Sequence, residues 1–337
     1  MPRKSRIDAP GALNHIVIRG IEKKAIFKDK CDYSNFLDRL GNILEDTSTP
    51  CYAWALMTNH VHLLLKTGLS PLSTVMRRLL TGYAQQFNRR HKRHGPLFQG
   101  RYKSFLCEED SYLLELVRYI HLNPLRAKKV KDLQELSACS KCGHSVLMGK
   151  IERQWQDTEY VLSFFGKTVR SARISYVDFV RQGIELGSRP ELVGGGLLRS
   201  IGGWSELEAY KKEGTRIISD ERILGSSDFV EKVLNKAEEA YSTKVRLKAK
   251  GVTIEKLITE TTAYFEIESE DIKGTSKERT VSQARSIICY LGSRWLSISQ
   301  AVLARRLGLS PTTVSKAVIR GRRNRTSQII KERLLGG

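Results

Sequence analysis

Residues 58–65 read Thr58-Asn59-His60-Val61-His62-Leu63-Leu64-Leu65. On an extended strand successive side chains alternate faces, so His60 and His62 share one face and Val61 points to the other. Two imidazoles about 7 Å apart along a strand face can share a divalent metal. Taken alone, a His-x-His pair reads more readily as structural or surface histidines, so the neighbouring elements decide. Before the pair, Cys51 to Met57 reads as a strand, and Thr58-Asn59 as a hairpin turn that lacks glycine.

Working outward, His15 to Arg19 reads as a strand. Asp32 to Glu45 reads as an amphipathic helix with Phe36, Leu37, Leu40, Ile43 and Leu44 on one side. Ser70 to His91 reads as a long helix, with Ser70 as its cap and Pro71 at its first position. Residues 97–107 read as extended. Asp110 to about His121 reads as a further helix that Asn123-Pro124 ends. The order β-α-β-β-α-β-α predicts an α+β fold, an antiparallel sheet with helices packed on one face.

Tyr119 and Asn123 lie four apart, on one helical face. Asn123 can offer a carbonyl oxygen as a third metal ligand, with Tyr119 one turn away. A tyrosine can act as a nucleophile toward a phosphodiester, and a metal can polarise a phosphate oxygen. An ordinary amphipathic-helix aromatic is the plainer reading. Tyr112 has Leu116 at the fourth position and Tyr83 has Phe87, so neither has a ligand partner there.

The chain has 337 residues, 57 of them lysine or arginine against 36 aspartate or glutamate, a formal net charge of +21. Such an excess attracts polyanions, and nucleic acid is the commonest large one. Residues 1–130 carry 22 basic and 11 acidic groups, residues 131–215 carry 12 and 11, and residues 216–337 carry 23 and 14. Two basic ends therefore flank a neutral middle, which predicts two nucleic-acid surfaces. Arg77, Arg78, Arg89, Arg90, Lys92, Arg93, Arg101 and Lys103 fall in a window without an acid, interleaved with Tyr83, Phe87, Phe98 and Tyr102. Cations that track phosphates and aromatics that stack bases suit single-stranded nucleic acid. Arg3, Lys4 and Arg6 form a basic arm suited to a groove.

The succession PGALNHIVIRG (10–20), TNHVHLLL (58–65), GPLFQGRYKSFL (95–106) and YIHLNPLRA (119–127) resembles the REP-associated tyrosine transposases, relatives of the HUH single-tyrosine transposases. The resemblance spans residues 1–130. It implies a ferredoxin-like HUH domain, His60 and His62 as metal ligands, Tyr119 as nucleophile and Asn123 as third ligand. Related enzymes often carry glutamine at that last position. It further implies Mg2+ or Mn2+ and a foot-bearing single-stranded DNA hairpin of the repeated extragenic palindromic type. The implied reaction is strand cleavage and rejoining through a 5′-phosphotyrosine. The runner-up is a DNA-binding regulator that keeps the fold without catalysis.

In the middle segment, Cys139-Ser140-Lys141-Cys142-Gly143-His144 lacks the second separated pair that a zinc ribbon needs, so a packed loop is expected. Glycines crowd residues 187–203, which reads as an irregular linker. Beyond residue 216 the chain reads as all-helical. Ser299 to Leu307, then Gly308-Leu309-Ser310-Pro311, then Thr312 onward form a helix-turn-helix pattern. Thr312, Thr313, Ser315 and Lys316 are expected to meet base edges, and Arg320 and the following arginines to meet phosphates. Residues from about 255 to 320 resemble the carboxy-terminal DNA-binding domain of the initiator DnaA, which implies a duplex-binding module.

Three domains are thus expected: 1–130, 131–215 and 216–337. The sequence has no apolar run near the ~20 residues of a membrane-spanning helix. Its amino-terminal basic patch is not followed by an apolar signal core. Its six scattered cysteines suit a reducing compartment. A bacterial cytoplasmic protein at the nucleoid, monomeric or homodimeric, is expected.

Overall fold

The computed structural model describes residues 7, 11–68, 70–187, 189, 192, 220–274, 276, 278–296 and 298–336. The chain divides into two compact units, Met1–Leu234 and Asn235–Gly337.

The first unit opens with β1 (Leu13–Arg19), α1 (Lys30–Thr47), β2 (Cys51–Leu56), β3 (His60–Lys66), α2 (Leu72–Arg90), β4 (Lys103–Cys107) and α3 (Glu109–Arg126). The sheet order is β2-β3-β1-β4-β5, where β5 is the short Ile223–Leu224 strand. The first four strands pair antiparallel in the ferredoxin-like order, and β5 adds in parallel to β4. The expected α+β class and the element order β-α-β-β-α-β-α are what the chain adopts.

Period-2 alternation sorts the strand side chains. Ile16, Ile18, Val61, Leu63 and Leu65 bury against Phe36 and Leu40 of α1 and Leu79 and Tyr83 of α2. Leu13, Val17, Leu64 and Phe105 bury on the opposite face, against Leu113, Leu116, Val117 and Ile120 of α3. Helices therefore cover both faces, where the sequence suggested one. The cause is in the strands: β2 is buried at every position and β1 at all but its last, so each face needs an apolar layer.

Local signals fix the helix ends. Asp29 caps α1 by accepting from the Asp32 amide. The expected Ser70 cap of α2 is not used: Pro71 occupies the cap position, without a side-chain cap bond. Behind α3 follow α4 (Leu133–Ala138), α5 (His144–Leu147), α6 (Thr158–Ser163) and α7 (Val169–Glu185). Leu136, Leu147, Val161, Tyr176 and Val180 join the α3 core layer. The Cys139–Gly143 loop docks on β2: Leu56 donates its amide to the Lys141 carbonyl at 2.8 Å, and Gly143 to that of Trp54 at 2.9 Å. The exposed edge of the sheet is thereby paired.

A long helix, α8 (Ser227–Ala249), is followed by α9 (Ile254–Phe265), α10 (Arg279–Arg294), α11 (Gln300–Leu307), α12 (Pro311–Arg323) and α13 (Thr326–Gly336). In the second unit Leu257, Ile287, Ile288, Leu291, Leu303, Leu307, Val314 and Ala317 form the core. Gly308 ends α11 with φ +64, the left-handed turn its missing Cβ permits. Ser310 caps α12, accepting from the Thr313 amide at 3.1 Å. Arg285 is buried and donates to the carbonyls of Ile272, Ser276 and Asp271 at 2.8, 2.6 and 3.0 Å, clamping the loop between α9 and α10. No helix among the described residues is long and apolar enough to cross a membrane.

Candidate active site and nucleic-acid interface

β1 and β3 pair so that Arg19 lies opposite His60 and Val17 opposite His62. His15, Val17 and Arg19 therefore share the α3 face of the sheet with both histidines. The rings of His60 and His62 stand 5.2 Å apart, centroid to centroid. His15 stacks on His62 at 5.3 Å with 22° between the rings, and its Nε2 lies 3.0 Å from His62 Nδ1. From α3, Tyr119 stands edge-on to both: 5.9 Å from His62 and 6.0 Å from His15. The sheet and α3 thus bring together residues 15, 60, 62 and 119.

Burial sets the protonation of the pair. Desolvation pushes His60 down to about 4, with the Arg19 cation adding to the shift. His62 is held well below the ordinary imidazole range by desolvation first, then by His15, His60 and Arg19. Both are neutral near pH 7, the form that binds metal. Asn59 donates its Nδ2 to the Lys23 carbonyl at 3.0 Å and so presents Oδ1 to His60 Nδ1 at 2.7 Å. His60 therefore carries its proton on Nδ1 and offers the Nε2 lone pair.

Asn123 sits one turn beyond Tyr119. The sequence suggested that Asn123-Pro124 ends the helix; instead α3 runs on to Arg126 with Pro124 inside it. Proline has no amide hydrogen for the Ile120 carbonyl. The Asn123 side chain supplies one: Nδ2 donates to Ile120 at 3.3 Å and to the Tyr119 carbonyl at 2.9 Å. This fixes the amide, whose Oδ1 is the atom able to act as a ligand. Two neutral imidazoles side by side and an amide oxygen on α3 are donor types compatible with Mn2+ or Mg2+. The Arg126 guanidinium lies 5.4 Å from the Tyr119 ring centroid, placing positive charge beside that side chain.

A cleft of about 540 Å³ opens along this end of the sheet. Val17, Arg19, Arg101, Lys103, Phe105 and Arg222 are among its walls. Arg101 and Lys103 of the expected basic stretch line it. The arginines of α2 are elsewhere, because α2 covers the other sheet face. Arg77 lines a separate, largely apolar groove beside α2, Arg89 is exposed, and Arg78 pairs with Asp46 at 2.6 Å. Arg90 reaches Asp29 and Asp32. Asp29, Asp32 and His91 bring possible ligand atoms within 4.8 Å of one another, but the Arg90 guanidinium already supplies their countercharge. Arg3, Lys4 and Arg6 lie outside the described residues, as does most of the glycine-rich stretch.

Sequence reasoning missed His15, Arg19, Asn59, Arg126 and Arg222. Alternation along β1 places His15 and Arg19 on one face, a usable signal. Arg222 comes from far along the chain and gave none. In the second unit Thr312, Thr313, Lys316 and Arg320 are exposed and Ser315 half-buried, while Val314, Ala317 and Val318 pack inward. The amino-terminal half of α12 is thus turned outward, as a recognition helix requires.

Residues 11–123 match the family model of IS200-like transposases, and residues 254–320 that of the bacterial DnaA protein helix-turn-helix. The first match includes His60, His62, Tyr119 and Asn123; the second includes Ser310 to Arg320. One solved structure, that of the REP-associated tyrosine transposase bound to a REP hairpin, is 13% identical. It aligns over 47% of this chain and 98% of its own, with a TM-score of 0.37. No curated protein matches the chain.

Proposed function

We propose that the chain is a metal-dependent single-strand DNA endonuclease and transposase that cleaves and rejoins hairpin DNA of the repeated extragenic palindromic type. The observation that carries this reading is Tyr119 standing edge-on to His62, 5.9 Å away, beside two neutral imidazoles, with Arg19, Arg101 and Lys103 lining a cleft next to the β1 partners of those histidines. His60, His62 and Asn123 would hold Mg2+ or Mn2+, which when bound polarises a phosphate oxygen. The chain's own residues do the rest. Arg19, Arg101 and Lys103 track the backbone of the strand. The Tyr119 oxygen attacks phosphorus and the bond to the 3′ oxygen breaks. A 5′-phosphotyrosine and a free 3′-hydroxyl result, and a 3′-hydroxyl can reverse the step and rejoin DNA.

The helix-turn-helix of α11 and α12 serves as a duplex anchor in this reading. It raises the effective concentration of the nuclease beside its target. The setting is a bacterial cytoplasm, at the nucleoid.

Incubation of the full chain with a labelled single-stranded hairpin and Mn2+ tests the proposal. Strand cleavage that leaves a 3′-hydroxyl and a protein-blocked 5′ end is expected. Hairpin binding without any cleavage would overturn it in favour of a non-catalytic DNA-binding regulator.

A further inference from the structure

His15 lies fully buried between His62 and a part of the chain far outside the transposase match. Its Nδ1 is 3.2 Å from the backbone carbonyl of Leu192, 177 residues away. A carbonyl only accepts, so Nδ1 of His15 carries a proton, and in the neutral ring Nε2 then presents a lone pair. His62 Nδ1, 3.0 Å from that lone pair, must then donate. The second proton position follows from the first: His62 is protonated on Nδ1 and offers Nε2.

His60 reaches the same state by a different route, through the neighbouring Asn59 amide, whose orientation the Lys23 carbonyl sets. One histidine is ordered locally and the other across the fold. The distant anchor is itself held to the nucleophile's helix. Leu192 donates its amide to the Arg189 carbonyl at 3.2 Å, and Arg189 pairs with Glu115 at 3.3 Å. Glu115 lies four residues before Tyr119, one turn along α3. The Leu192 side chain is buried in the α3 core layer.

We infer that His15 is a positioning residue that fixes the tautomer of His62, and that the Leu192 carbonyl is its anchor. The middle of the chain thereby anchors a histidine cluster, His15, His60 and His62, that itself lies within 11–123. Outer partners of metal-binding histidines generally change metal affinity about 10–100-fold when lost. The metal-affinity consequence rests on the metal reading above; the tautomer assignment does not.

The test is long-range 1H–15N correlation of histidine-labelled full-length protein, together with a Mn2+ titration followed by electron paramagnetic resonance. In the unaltered chain His62 is expected to be protonated on Nδ1. In His15→Ala that preference is expected to be lost and Mn2+ affinity to fall at least about tenfold. In His15→Gln, whose Oε1 takes the acceptor position of Nε2, affinity is expected to return to within about threefold. A His62 protonated on Nε2 in the unaltered chain overturns the inference, whether or not His15→Ala folds. So does a His15→Ala variant that keeps both tautomer and affinity. Absence of Mn2+ binding to the unaltered chain would instead overturn the metal reading and leave the tautomer result to decide the relay.

Discussion

Arg90 holds Asp32 through Nη1 at 2.6 Å, across 58 residues of sequence, and the same guanidinium holds Asp29 at 2.7 Å. A cation engaged by two carboxylates has little positive charge left for a phosphate. Arg78 is engaged by one carboxylate, that of Asp46. Arg19 and Lys103 are exposed on the wall of the cleft beside His60.

The two basic surfaces are therefore expected to separate in a salt titration. Arg19→Gln or Lys103→Gln should each weaken single-strand binding and reduce the salt slope by about 0.7, one phosphate contact. Arg78→Gln and Arg90→Gln should leave the slope unchanged. Slope losses from Arg78→Gln and Arg90→Gln, with none from Arg19→Gln or Lys103→Gln, would place the strand on the α2 face instead.

The Asn123 amide replaces the hydrogen that Pro124 withholds from Ile120. Asn123→Ala is expected to cost about 1 kcal/mol of stability, the ordinary worth of a hydrogen bond. In a Pro124→Ala background the backbone amide returns and the cost should shrink. A double-mutant cycle by urea unfolding reads this coupling. Additive effects would mean that the side-chain bond to Ile120 carries no weight.

Burial also holds His144 neutral, at about 4, beside Tyr176. Its folded value lies below the unfolded value of about 6.5, so the unfolded chain binds more protons between those two pH values. Stability should fall as pH drops through that window, by at most about 1.4 kcal/mol per unit for this group, and be independent of it above pH 7. His144→Asn removes the titration. Between pH 7 and pH 5 the unaltered chain should lose about 2 kcal/mol more than the variant in urea unfolding. An equal loss would show that the His144 charge is not suppressed by folding.

In the second unit α12 crosses α10 at Gly321, where a Cβ would fall 1.9 Å from the Ser286 carbonyl oxygen. Gly321→Ala should improve intrinsic helix propensity by about 1 kcal/mol and still destabilise, because backbone must move. Overpacking of this kind costs about 1–3 kcal/mol or more. Thermal unfolding and duplex binding check it: a lower melting temperature and weaker binding are expected. A stabilised variant would mean that the helices cross less closely.

Elements with local signals were legible in the sequence. The alternation of β3 placed His60 and His62 on one face, and the Gly308-Leu309-Ser310-Pro311 turn fixed both helix boundaries around it. What required the fold was long-range pairing. His15 became a neighbour of His62 only through the β1–β3 register. The Arg90 guanidinium is engaged by acids 58 and 61 residues earlier, which its sequence window did not show. Leu192 and Arg222 reach the site from segments with no periodic pattern of their own. Pro124 read as a stop because the compensating bond from Asn123 is a side-chain contact that propensity does not encode.

The central claim is that Tyr119 is the nucleophile. Digestion of the hairpin-treated protein with trypsin should release the peptide Tyr119–Arg126, YIHLNPLR, since Arg118 precedes it. Mass spectrometry should find this peptide bearing a 5′-linked nucleotide remnant on Tyr119, and Tyr119→Phe should bind the hairpin yet form no adduct. An adduct on another residue, or one that survives Tyr119→Phe, would contradict the assignment.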